Sequence, residues 1–120
     1  MQLRTGVFNQ PYRFRTLQPG EKVIIWEEPI TGDYLGFIDN IGNNWFPYTY
    51  IDFIVDGELI ERIQKVTGEL EGYAFQTRPV NPPIVAKKFI RWIAVNQDVD
   101  AHVFEVYCGG YYAKPKPQET

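Results

Sequence analysis

From Tyr48 to Val55 apolar and polar side chains alternate. Ile51, Phe53 and Val55 fall on one face, and Tyr50, Asp52 and Ile54 on the other. Period two over that length predicts a half-buried strand. Asp56-Gly57 follows, a pair suited to a type I′ hairpin turn, because both central residues of that turn need positive φ. Glu58 to Val66 is then the returning partner. Leu59, Ile63 and Val66 also sit at helical spacing, so one or two helical turns compete with the strand there. The same grammar recurs along the chain. Lys22 to Glu28 and Tyr34 to Ile41 read as strands, and Glu71 to Thr77 as a short one around Tyr73 and Phe75. Ile84 to Asn96 is rich in β-branched and aromatic residues and is the expected central strand. Asn96 to Asp100 is a turn. Ala101 to Cys108 is the last long strand, with His102, Phe104, Val106 and Cys108 on one face.

Turn signals divide these segments: Pro19-Gly20, Pro29 to Gly32, Gly42 to Asn44, Asp56-Gly57 and Gly109-Gly110. Pro79, Pro82 and Pro83 predict an extended connection outside any ladder. From Lys114 the chain reads as a polyproline-like tail. The predicted fold is all-β: an antiparallel two-sheet β-sandwich, jelly-roll-like, of seven to eight strands, with a small closed barrel second. The expected divisions are an N-terminal arm or edge strand over 1–18, the sandwich over 19–113, and a Pro/Lys tail over 114–120.

Composition narrows the function. The 120 residues are 44% hydrophobic and 16% aromatic with a net charge of −3, which suits a folded domain rather than a disordered chain. So small a negative charge argues against nucleic acid as the main partner. No apolar run is long enough to span a bilayer, so no membrane partner is expected. The first residues lack the basic-then-apolar pattern of a secretory leader. Charge is placed unevenly: Arg4, Arg13 and Arg15 occur before residue 20 with no acid, whereas Glu27 to Glu61 holds eight acids and no Lys or Arg. A basic arm of one subunit on the acidic face of the next is one reading of that split, and ordinary solvation is the other. Tyr12 and Phe14 alternate with Arg13 and Arg15. That pattern fits an edge strand whose charges block aggregation better than it fits a nucleic-acid strip.

Candidate chemistry is thin. The chain has no serine and one cysteine, Cys108. Cys108 is six residues from His102 on one strand, about 20 Å at strand rise, too far for a dyad. Its expected role is a small buried apolar residue. Asp52 and Asp56 are a carboxylate pair in sequence, but strand and turn chemistry account for both. Asp98, Asp100 and His102 fall on alternate positions and are the weak candidates for a metal, against a turn followed by a strand. No phosphate-binding glycine loop is present. No enzyme activity and no cofactor are expected. Aromatic residues carry the strongest signal. Trp45, Phe46 and Tyr48 follow the Gly42 to Asn44 turn, and Tyr111 and Tyr112 follow Gly109-Gly110. Loop aromatics of this kind are interface anchors, and sugars also stack on them.

Gly36 to Ile41, Ile51 to Gly57, and the pair Phe89 to Asn96 and Val103 to Tyr107 together resemble the small jelly-roll β-sandwich modules of tailed-phage virion proteins: capsid decoration proteins, head fibres and receptor-facing tail pieces. The likeness runs over about residues 20 to 113 and lies in strand grammar rather than a signature. It implies a non-enzymatic structural role on a virion, made in the host cytoplasm, with a trimeric homo-oligomer and other virion proteins as partners. The expected binding elements are then Arg4, Arg13, Arg15, Trp45, Phe46, Tyr48, Tyr111 and Tyr112. The alternative is a carbohydrate-binding module or adhesin that holds a glycan on Trp45 beside Asn43 and Asn44. A cupin-like enzyme is the third reading, and His102 stands alone for it.

Overall fold

The structure, a computed structural model, describes residues 2–64 and 72–115. Among these, nine strands and no helix occur: β1 (Gln2–Val7), β2 (Tyr12–Leu17), β3 (Lys22–Pro29), β4 (Leu35–Trp45), β5 (Thr49–Val55), β6 (Glu58–Ile63), β7 (Tyr73–Ala86), β8 (Phe89–Asn96) and β9 (His102–Pro115). They form two antiparallel sheets packed face to face, as the sequence predicts. One sheet runs β1-β9-β4-β7, with β2 also paired to β9; the other runs β3-β8-β5-β6. The pairs nest: β2 with β9, β3 with β8, β4 with β7 and β5 with β6. The chain is thus one long antiparallel hairpin wrapped over itself.

The alternation in β5 sets the inner layer. Ile51, Phe53 and Val55 are buried, with Trp26, Ile90 and Trp92 beside them on the same sheet. Phe53 and Trp92 meet at 4.7 Å between ring centroids. Leu17, Ile38, Ile41, Phe104, Val106 and Cys108 close the core from the other sheet. Each large side chain removed from water in this way contributes about 1.5–3 kcal/mol.

The hairpin after β5 forms as its residues require, with Asp56 at φ 55° and Gly57 at φ 86°. Glu58 to Ile63 returns as a strand rather than a helix; its register against β5 uses every residue but Ile60, which bulges. The competing helical spacing reaches Val66, which lies outside the described residues.

Several boundaries differ from the sequence reading. Residues 84–96 are two strands, not one. The chain bends at Lys87-Lys88 and changes sheet there. Asp56 explains the bend, because its carboxylate accepts the backbone N–H groups of Lys87, Lys88 and Phe89 at 2.6 to 3.1 Å. The prolines lie inside β7. Asn40 pairs with Pro79 and Ile38 with Ile84, so Val80 to Pro83 bulge out between two stretches of ladder. β7 is the outermost strand, where a missing donor costs no ladder bond. Gly42 to Asn44 and Gly109-Gly110 are strand interiors rather than turns. A Cβ on Gly110 would sit 2.0 Å from the Phe37 carbonyl oxygen, so close packing of the backbone demands glycine there. The first 18 residues carry two strands bonded to β9. At the other end Lys114 and Pro115 belong to β9, and the rest of the expected tail lies outside the described residues.

Two outcomes follow. Phe53→Ala removes a fully buried ring from between the sheets and is expected to cost about 3–5 kcal/mol, read from the urea midpoint; a cost below about 1 kcal/mol would show that the ring is not at the centre of the core. Asp56→Asn tests the bend. Burial raises the Asp56 carboxyl, but the three N–H donors and the Lys88 ammonium outweigh it and hold the group below the ordinary carboxylate range. A depressed carboxylate adds stability above its unfolded pKa, and that stability fades as pH falls through the folded value. The wild type should therefore exceed Asp56→Asn in stability at neutral pH, with the gap closing below about pH 4. A gap independent of pH would contradict this account.

Candidate functional site

Three of the candidate carboxylates, Asp52, Asp56 and Asp98, are each held by a partner. Asp52 receives a bidentate hydrogen-bonded ion pair from Arg62, at 2.7 and 2.8 Å. Asp56 is taken up by the bend. Asp98 faces His102 Nε2 at 2.7 Å and also accepts the Val99 N–H. The hydrogen bond from His102 is the main cause that holds the Asp98 carboxyl below its usual range. Asp100 contributes its backbone carbonyl to buried Asn96, not a carboxylate to this pair. Asn96 also donates to the Leu17 carbonyl, so the β8–β9 turn is fastened to the end of β2. Asp98, Asp100 and His102 are thus a turn clasp. Among the described residues no group of three or more His, Cys, Asp or Glu side chains converges to hold a metal. Cys108 is fully buried, and burial drives its thiol well above the ordinary range, so it stays protonated and unreactive.

The structure redistributes the expected aromatic anchors. Trp45 is 1% exposed, stacks on Tyr73 and donates its indole N–H to the Thr49 carbonyl. Asn43 and Asn44 are buried with it. Asn44 extends the β4–β9 ladder past Asn43 by side chain: its amide donates to the Val103 carbonyl and accepts the Glu105 N–H, both at 2.9 Å. A glycan platform on Trp45, Asn43 and Asn44 is therefore corrected, because all three are spent on packing. Phe46 is half-buried and lies parallel to the His102 ring at 4.2 Å. Tyr112 turns inward and meets Phe8 edge-on at 5.3 Å. Tyr48 is exposed, at the β4–β5 turn, and Tyr111 faces outward from β9.

Tyr111 belongs to a row that the sequence reading did not assemble. Residues paired directly across antiparallel strands share a face. Tyr12 lies opposite Tyr107, Phe14 opposite Glu105, and Phe37 opposite Tyr111. Tyr12 contacts Phe14 at 6.2 Å and Phe75 edge-on at 5.4 Å, and Phe37 stacks on Tyr111 at 5.2 Å. The Tyr12 hydroxyl donates to Glu105, and burial followed by that bond raises its pKa. Phe14 is 67% exposed. Two glycines make room for the row. A Cβ on Gly42 would come within 3.2 Å of the Phe75 ring, and one on Gly109 within 2.6 Å of the Tyr107 hydroxyl. These strand glycines beside aromatics were the available signal, masked by their likeness to turn signals.

Arg13 and Arg15 pair with Val106 and Phe104, whose side chains fill the core. The two arginines therefore leave the edge strand from its inward side and remain exposed, a placement that hinders edge-to-edge pairing. Arg4 sits opposite Ala113 in β1. A groove of about 410 Å3 between edge strands β6 and β7 is lined by Glu61, Arg62, Tyr73, Gln76 and Arg78. Its cations are already engaged, Arg62 by Asp52 and Arg78 by Asn43 and Glu61.

Comparison with family models, curated proteins and solved structures returns no match to this chain. All three tryptophans are at most 3% exposed. A broad panel of oligosaccharides should therefore leave tryptophan emission unchanged, and acrylamide should quench it slowly. A saturable emission change with one sugar would reopen the glycan reading.

Proposed function

We propose that this chain is a non-enzymatic structural protein of a tailed-phage virion, of the capsid decoration or spike type, that works by self-association and by docking on a particle surface. The observation that carries the reading is the aromatic row on the outer face of the five-stranded sheet, from Phe14 through Tyr12 and Phe75 to Tyr107, Tyr111 and Phe37. The core side of the same strands is already filled, so the outer row is not needed to close the fold. Exposed apolar patches of this kind mark interaction surfaces. Tyr and Phe suit them, because they bring large contact area at low entropic cost. Two further features support the reading. Asp52, Asp56 and Asp98 are bound into an ion pair and two turns, and the wrapped order of nested strand pairs suits the jelly-roll module that the sequence resembles. The exposed arginines leave the same edge strand from its other face and would steer the molecule toward an acidic surface.

The test uses particles assembled without this chain. Added wild-type protein should bind them and co-sediment, and Phe14→Asp should bind at least tenfold less while its melting temperature stays unchanged. Absence of the chain from purified particles by mass spectrometry would overturn the proposal.

A further inference from the structure

The outer face of the four-stranded sheet carries a second, different pattern. One row of paired residues across β3, β8, β5 and β6 reads Ile24, Ile93, Asp52, Arg62; the next reads Glu27, Arg91, Ile54, Leu59. Apolar and charged pairs thus alternate like the squares of a two-by-two board. Ile24 and Leu59, at opposite edges, are 45% and 48% exposed, and Ile93 and Ile54 between them are half-buried. Asp52 and Arg62 are bonded to each other, as are Glu27 and Arg91. Arg62 also lies over the Tyr50 ring and Arg91 over the Phe89 ring, at 4.4 and 4.5 Å. The charges are therefore pinned flat rather than extended into solvent.

We infer that this face is an isologous contact for a second copy of the chain. The inference rests on the self-association in the reading above and names its surface and symmetry. A two-fold axis laid along or across the strands would place isoleucines on charges. An axis along the diagonal from Ile24 and Ile93 to Ile54 and Leu59 sets apolar on apolar. With strands about 4.8 Å apart and the rows about 6.6 Å apart, the same axis brings Asp52, buried beneath its own Arg62, opposite Arg91 of the second copy, acid on base. The strands of the two copies then cross at about 70°, close to the orthogonal class of sheet packing. Two-fold closure leaves the aromatic row of each copy facing outward on the other sheet. It also replaces the three-fold partner that the family resemblance implies.

Light scattering behind a sizing column tests this on the full chain. Wild type should elute as a dimer of about 28 kDa, twice the 14.0 kDa of the chain. Ile24→Asp and Leu59→Asp, both on exposed edge positions, should give folded monomers, checked by circular dichroism. Phe14→Asp, on the other sheet, should remain a dimer. Ile54→Cys lies next to the axis and should form a disulfide-linked dimer on mild oxidation, whereas buried Cys108 should not. A trimer, or a dimer lost in Phe14→Asp but kept in Leu59→Asp, would overturn the inference. So would a monomer at every concentration. If that monomer still adds to particles, the docking reading stands while the two-fold contact falls.

Discussion

The five-stranded sheet depends on β9. This one strand pairs with β1 and β2 along one side and with β4 along the other. Its two faces have opposite tasks. Phe104, Val106 and Cys108 point inward and are fully buried, so the strand cannot slip by one residue without exposing them and burying Glu105 and Tyr107. The locked register in turn fixes which residues of β2 and β4 reach the outer face. Core packing thus dictates the position of the aromatic row, although no member of that row is fully buried.

The strands that alternate cleanly were legible in the sequence. Ile51, Phe53 and Val55, or Phe104, Val106 and Cys108, announce a strand with one dry face, and Asp56-Gly57 announces its turn. Residues whose role is set by a distant neighbour were not legible. Gly110 reads as punctuation until Phe37 is seen beside it. Pro79 to Pro83 read as a break, yet an outermost strand with a wide bulge accommodates them. Lys87-Lys88 read as mid-strand because the feature that bends them, the Asp56 carboxylate, is 31 residues earlier. Trp45 shows the same limit for the site. Its position after glycine and asparagines suggests a loop, whereas β4 continues through it and Tyr73 covers it.

The distribution of chemistry then sets the functional argument. Asp52, Asp98 and Asp56 are committed to Arg62, to His102 and to the backbone of the β7–β8 bend. The two outer faces are where side chains exceed what the fold requires. One is aromatic; the other alternates aliphatic pairs with flattened ion pairs. A protein with two such faces can join a copy of itself through one and a larger surface through the other. This division of labour suits a subunit whose work is mechanical.

Hydrogen–deuterium exchange on the chain in three states tests that division most directly: dilute, concentrated, and bound to particles. Concentration should slow exchange in β3 and β6, whose edges frame the four-stranded face. Particle binding should then slow β2 and the outward half of the β4–β9 ladder. Protection that appears instead at the β8–β9 turn around Asp98 and His102, or in no strand at all, would contradict it.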